Sequence, residues 1–181
     1  MAPRITLALT TLALALAACA GYGPPKIEPG QDADELIPKM GKPTGRYTLP
    51  DGSTRIEYAR GPYGHHTWMI DVDAENHVTR WEQVLTENNF NSVKPGISGD
   101  ELLLKLGRPS ERRGGGYQGG QVWSWRYEAV FCQWFQVSVD DQGKVWGPAY
   151  GPDPLCDQDR NDHARRFFRM KASLATVAPL I

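Results

Sequence analysis

Pro29-Gly-Gln-Asp-Ala-Asp-Glu-Leu-Ile-Pro-Lys-Met-Gly-Lys-Pro43 and Pro95-Gly-Ile-Ser-Gly-Asp-Glu-Leu-Leu-Leu-Lys-Leu-Gly-Arg-Pro109 align without a gap. Pro, Gly, Asp, Glu, Leu, Lys, Gly and Pro coincide at the same places in both. A second pair of segments recurs downstream, Val72-Asp73-Ala-Glu-Asn-His-Val78 and Val139-Asp140-Asp-Gln-Gly-Lys-Val145, with the register shifted by one residue. A pattern that repeats at both ends of a segment of about 60 residues marks two copies of one supersecondary unit.

Each copy opens on a short helix whose ends are legible. Ser98 and Glu101 have the S-x-x-E spacing of a capping box, with Ile97 and Leu102 placed for a hydrophobic staple. Asp32 and Glu35 hold the equivalent positions in the first copy. Gly41 and Gly107 suit the left-handed residue that ends a helix, and Pro43 and Pro109 prevent its continuation. Pro38 falls inside the first helix and is expected to shorten or kink it.

Strand signals follow. Trp123, Trp125 and Tyr127 alternate on one face of one segment, and Phe135, Val137 and Val139 on one face of the next. Asp140 to Gly143 reads as a hairpin turn before a strand from Lys144. In the first copy the equivalents are Ile56 and Tyr58, then Trp68, Ile70 and Val72, then the turn from Asp73 to Asn76 and Val78. The expected fold class is α+β: two tandem units, each a short N-terminal helix followed by a three-stranded antiparallel meander, with the helices packed on one sheet face.

The N-terminus has a different character. Arg4 precedes an uncharged stretch from Ile5 to Ala18. That stretch is shorter than the ~20 residues a membrane-spanning helix needs, but suits the apolar region of a signal peptide. It ends in Leu16-Ala17-Ala18-Cys19, which resembles the lipobox of bacterial lipoproteins. The resemblance implies cleavage before Cys19 and a lipid-modified thiol carrying three acyl chains, palmitate among them. Several chains are needed because one binds a bilayer only marginally, at about 0.8 kcal/mol per buried methylene. Residue 20 is Ala rather than Asp, which for such lipoproteins implies sorting to the outer membrane of a Gram-negative bacterium. The expected organisation is a signal peptide over 1–18, a tether over 19–27, unit one over 28–90, unit two over 91–157 and a tail over 158–181.

Export places Cys132 and Cys156 in an oxidising compartment, where a disulfide is the natural reading; two buried thiols or a metal pair are the alternatives. Neither cysteine has another Cys or a His at ligand spacing. The net charge of −1 offers no electrostatic footprint for nucleic acid, and six Trp argue for a packed body rather than disorder.

Behind the lipobox, the string P-G-x-x-x-D-E-L-x-x-x-x-G-x-P, an aromatic strand and a V-D-x-x-G-x-V hairpin together resemble the SmpA/OmlA family, also called BamE-like. The likeness extends over about residues 27–90 and again over 91–152. It implies a periplasm-facing outer-membrane lipoprotein; the founding member is an accessory subunit of the machine that folds β-barrels into the outer membrane, and carries one unit where this chain has two. The tandem arrangement is also that of the β-lactamase inhibitory protein, whose sheet forms a concave binding face. The matched residues are glycines, prolines and apolar core positions that define the fold, so no partner-binding residue is implied.

No catalytic arrangement is recognisable. His65 and His66 are adjacent in Gly61-Pro-Tyr-Gly-His-His66, and in a strand would point to opposite faces. His77 lies in a turn and His163 in the tail. The segment Gly114-Gly-Gly-Tyr-Gln-Gly-Gly120 lacks the Lys-Ser/Thr of a phosphate loop and precedes a strand rather than a helix. Trp134 is out of phase with Phe135, Val137 and Val139, so it faces the other way together with Gln136; Met69 is similarly out of phase in the first copy. Trp134, Met69 and Gln136 are therefore the candidate interface residues. The expected function is a non-enzymatic protein-binding lipoprotein supporting outer-membrane protein assembly or envelope integrity. It would need no cofactor beyond the covalent lipid, no metal, no nucleic acid and no small-molecule substrate. Its expected partners are the outer membrane, through the lipid, and an envelope protein such as the β-barrel assembly machinery. The alternative is an inhibitor-like module that binds a periplasmic enzyme through its sheet.

Overall fold

The computed structural model describes residues 26–116 and 119–156. The expected signal peptide, Cys19 with its expected lipid, all but the end of the expected tether, and the expected tail over 158–181 lie outside the described residues.

The chain repeats helix before strands, but the structure corrects the expected fold class. It is mostly β, with two four-stranded antiparallel sheets rather than three-stranded meanders. The first contains β1 (Gly45–Thr48), β2 (Thr54–Ala59), β3 (Thr67–Val72) and β4 (Val78–Gln83) in sequence order. The second contains β5 (Glu111–Gly114), β6 (Gln121–Arg126), β7 (Gln133–Val139) and β8 (Val145–Pro152) in the same order. The extra strand in each sheet is β1 or β5. Both are four-residue edge strands without apolar alternation, Gly-Arg-Tyr-Thr and Glu-Arg-Arg-Gly, so neither carries the period-two signal of a half-buried strand. Charged residues on such an edge also discourage pairing with another chain.

The helices among the described residues are few and short. Ala33–Leu36 is a single 3-10 turn capped by the Asp32 carboxylate, which accepts from the Asp34 N–H. It runs into α1 (Ile37–Met40), where Pro38 sits in the first turn and needs no N–H partner. The proline thus divides the element into two short pieces. At the junction of the two units α2 (Glu87–Asn91) precedes α3 (Gly99–Leu106). Ser98 and Glu101 close a complete capping box on α3. Gly41 and Gly107 end α1 and α3 at positive φ, 84° and 72°, but their ψ of −170° and −169° is extended rather than left-handed helical.

The repeat extends to individual hydrogen bonds. Gly30 donates to the Val78 carbonyl and Gly96 to that of Val145; Val78 donates to Gln31 and Val145 to Ile97; Ala33 donates to Asn76 and Gly99 to Gly143. In both units the segment before the helix is thereby tied to the hairpin turn between the third and fourth strands. Asp73 and Asp140 build those turns identically, each Oδ1 accepting two backbone N–H groups, from Glu75 and His77 or from Gln142 and Lys144. Each sheet is bulged at the same place, between Asp71 and Val72 and between Ser138 and Val139. The one-residue shift in register arises between the first and second strands, where residues 115–120 replace 49–53.

The helices do not share one sheet face. Leu36 and Met40 pack with Ile56, Tyr58, Ile70 and Val72 in a first core. Phe90 of α2 and Leu102 and Leu106 of α3 pack with Trp123, Trp125, Phe135 and Val137 in a second, larger core that also takes in Met69 from the opposite face of the first sheet. Thus α3 lies between the two sheets. Full burial of side chains of this size contributes about 1.5–3 kcal/mol each. Phe90 is stacked on Phe135 at 4.1 Å and meets the Tyr127 edge at 4.9 Å.

Candidate interaction surface

Polar side chains on the α3-facing side of the first sheet join the two units. The Glu57 carboxylate is fully buried. It accepts the hydroxyls of Thr44 (2.5 Å) and Tyr47 (2.7 Å) and the backbone N–H of Arg108 (2.9 Å), just past the end of α3. Two strand positions earlier, Arg55 grips Asp71 through Nε and Nη2 and donates Nη1 to the Leu104 carbonyl of α3. Gly107 passes so close that a Cβ there would meet Thr67 Cγ2 at 2.7 Å, Glu57 Oε2 at 2.9 Å and Met69 Cε at 3.0 Å. Trp125 Nε1 donates to the Gly107 carbonyl from the other side at 3.1 Å.

At one end of the sheets, the 60–66 loop, the 127–132 loop and residues 153–156 converge. Arg126, almost fully buried, donates Nε and Nη2 to Asp153 at 2.6 and 2.9 Å and Nη1 to the Pro62 carbonyl at 2.7 Å. The fork geometry of a guanidinium allows this three-way anchoring, which an ammonium could not reproduce. Cys132 and Cys156 are disulfide-bonded, fastening the 127–132 loop to the segment after β8. Both adjacent histidines reach the Glu128 carboxylate, His65 Nδ1 at 3.5 Å and His66 Nε2 at 3.9 Å. A cleft of about 350 Å³ opens here, lined by His65, Tyr127, Glu128, Phe131 and the disulfide. Large apolar side chains stand out of this frame: Val130 is 95% exposed, Phe131 76% and Tyr63 72%.

The residues singled out from phase alone are placed elsewhere. Met69 is buried between Gly107 and the second core. Trp134 is also buried, with the Arg126 guanidinium 5.0 Å from its ring. Gln136 donates to the Ser124 hydroxyl within the sheet. Phase locates a face of a strand but not what covers that face. Val130 and Phe131 occupy a loop with no periodicity, and their signal was only two adjacent large apolar residues between Glu128 and Cys132. Glu57 and Arg126 had a fainter signal, a charged residue alternating with the aromatic and aliphatic positions of a strand.

Among the described residues no group of three or more His, Cys, Asp or Glu side chains is arranged to hold a metal ion. Among them, too, no helix is long and apolar enough to cross a membrane. No family model matches the chain, and no curated protein matches it. Among solved structures, one similar chain is a cysteine-rich secretory protein from Staphylococcus aureus, at 16% identity and a TM-score of 0.25. The match covers 70% of this chain and 44% of that one, so this chain spans less than half of the other's length.

Proposed function

We propose that this chain is a lipid-anchored, periplasm-facing outer-membrane lipoprotein that binds an envelope protein and supports outer-membrane assembly or integrity, without catalysis of its own. The lipobox-like string before Cys19 and the twice-repeated resemblance to SmpA/OmlA lipoproteins support the location and the class. The observation that carries the binding reading is the exposed set Tyr63, Val130 and Phe131 on loops held by the disulfide and the Arg126–Asp153 pair. Aromatic side chains presented by an ordered frame lose little conformational entropy on docking and are favoured interface anchors.

Crosslinking pull-down from detergent-solubilised envelopes, using the full lipidated chain, tests this reading. It should recover a subunit of the β-barrel assembly machinery, and the Val130→Ser, Phe131→Ser double variant should lose most of that recovery with unchanged thermal stability. Repeated absence of any such subunit would sink the assembly role. A one-to-one complex with a periplasmic hydrolase that persists in Cys19→Ser would point to an inhibitor-like module instead.

A further inference from the structure

A cleft of about 390 Å³ opens at the end of the second sheet away from Val130 and Phe131. Its lining includes Asp100 and Leu103 of α3, Arg112 of β5, Trp123 of β6 and Gln142 of the last hairpin turn. Arg112 is paired with Trp123 across the two strands, and its Cζ stands over the indole, 3.9 Å from the ring centroid. A guanidinium held by its face keeps its N–H edge for an acceptor. Arg55, Arg80, Arg113 and Arg126 all reach a carboxylate. Arg112 makes no hydrogen bond or ion pair among the described residues.

Arg108 adds a second positive charge from beside the cleft. Its backbone N–H is fixed on Glu57, and its Nη2 reaches the Thr44 carbonyl at 3.5 Å. The two guanidiniums oppose each other: burial, and then the Arg108 charge, lower the proton affinity of Arg112. Glu57 does not relieve this, because its carboxylate is spent on Thr44, Tyr47 and the Arg108 N–H. Asp100 lines the same cleft but forms no ion pair with Arg112. Two neighbouring arginines thus lack an anionic partner among the described residues.

We propose that this cleft binds a phosphorylated sugar, with its phosphate on Arg112 and Arg108 and its ring hydroxyls on Asp100 and Gln142. The site is separate from the docking tip and does not depend on it. Two guanidinium forks offer more N–H groups than the two oxygens of a carboxylate accept. A phosphate monoester presents three acceptor oxygens and a charge of about −1.5 to −2 at neutral pH. A bare phosphate would leave the Asp100 carboxylate facing an anion with nothing gained. Sugar hydroxyls change that balance, because each donates as well as accepts. The Asp100 carboxylate takes an O–H, and the Gln142 amide serves either role. Neither side chain has a hydrogen-bond partner among the described residues. Leu103 and Trp123 supply apolar surface for the ring carbons.

Calorimetric titration of the full chain tests this, with inorganic phosphate, glucose, and the 6-phosphates of glucose, galactose and N-acetylglucosamine as probes. At least one sugar phosphate should bind about tenfold more tightly than either inorganic phosphate or glucose. Arg112→Lys keeps the charge but loses the fork, and should weaken that binding about fivefold. Arg108→Gln should weaken inorganic phosphate and sugar phosphate alike. Asp100→Ala should erase most of the sugar phosphate's advantage over inorganic phosphate. Arg113→Gln, at the next strand position and already paired with Glu111, should change neither. All four side chains are exposed, so each variant should keep the parent's thermal midpoint. If no sugar phosphate binds more tightly than inorganic phosphate, the proposal is overturned. Equal losses in Arg112→Lys and Arg113→Gln would overturn it as well, by reducing the site to diffuse surface charge.

Discussion

The Glu57 carboxylate in the first sheet accepts the backbone N–H of Arg108, 51 residues further on and one residue past the glycine that ends α3. This bond, with those from Thr44 and Tyr47, makes a buried side chain of one unit the acceptor for the helix end of the other. Glu57→Ala strands two donors, the Tyr47 hydroxyl and the Arg108 N–H, because the Thr44 hydroxyl can still donate to the backbone carbonyl of residue 57. Each buried unsatisfied group costs about 1–3 kcal/mol, so a loss of about 3–4 kcal/mol is expected after partial relaxation. Glu57→Gln keeps the shape and one carbonyl oxygen and should lose less than half as much. Urea unfolding followed by tryptophan fluorescence checks the order, and an Ala variant no worse than Gln would contradict the role.

Gly107 and Gly41 separate backbone strain from packing. Both have positive φ at the end of equivalent helices, but a Cβ at Gly41 meets nothing within 4 Å, whereas at Gly107 it meets Thr67, Glu57 and Met69. Gly41→Ala should cost about 1–3 kcal/mol, the conformational penalty alone. Gly107→Ala should cost about 1–3 kcal/mol more, the range for overpacking a filled site. Equal shifts in the urea midpoint would show that the two units are less closely seated at Gly107 than those distances require.

The parts of the fold that are legible in the sequence are those whose chemistry is local. The Ser98–Glu101 box, the Asp73 and Asp140 turns and the glycines after each helix depend on residues within a few positions of one another. The edge strands β1 and β5 are not legible, because half or more of the residues in each face water and β-pairing leaves no trace in such short polar segments. The two joints to α3 are illegible for another reason. Glu57 and Arg55 become acceptor and donor only when Arg108 and Leu104, 51 and 49 residues away, are folded beside them. Phase places Trp134 and Met69 on the faces opposite their aromatic neighbours, and those faces are covered by Arg126 in one case and Gly107 in the other. The Val130–Phe131 tip has no period at all, so its exposure emerges only once both loops are in place.

Alkaline stability reports on the same joint through Tyr47. Burial, then the hydrogen bond to the Glu57 carboxylate and the charge of that group, push the Tyr47 hydroxyl well above its ordinary range. A group whose pKa is higher in the folded state stabilises fully below its unfolded value, about 10 for tyrosine, and that contribution is lost as pH rises toward the folded value. Burial raises Tyr58 and Tyr150 in the same direction. Stability should therefore decline above pH ~10, and Tyr47→Phe should decline less steeply than the parent even though it starts lower. A parallel slope in the two proteins, measured by urea midpoints across that range, would exclude Tyr47 as a contributor.

The disulfide closes a loop with a sequence separation of 24. Chain entropy then gives about 3 kcal/mol of stabilisation. The Cys132→Ser, Cys156→Ser variant should lose about that much, with hydrogen exchange rising first in the 127–132 loop and after Pro152. Strands β1 to β4 hold no part of the loop and should keep their protection near the global unfolding limit. Uniform loss across both sheets would mean that the crosslink acts on the whole chain rather than on the loop end of the second unit.

Arg126 and Asp153 form a buried pair, with side chains only 6% and 8% exposed. Arg126→Ala removes the partner of a carboxylate that cannot reach water and also frees the Pro62 carbonyl. Breaking such a pair from one side costs about 3–5 kcal/mol, most of it from the charge left behind. The damage should therefore be repaired by removing the other charge as well. Asp153 also accepts the Leu155 N–H, a bond that an Asn carbonyl retains. Arg126→Met with Asp153→Asn should accordingly be more stable than Arg126→Met alone, a positive coupling in a double-mutant cycle. Simple additivity would assign the loss to packing of the arginine stem against Trp134 instead, and would move the anchor of this loop cluster from the ion pair to the indole.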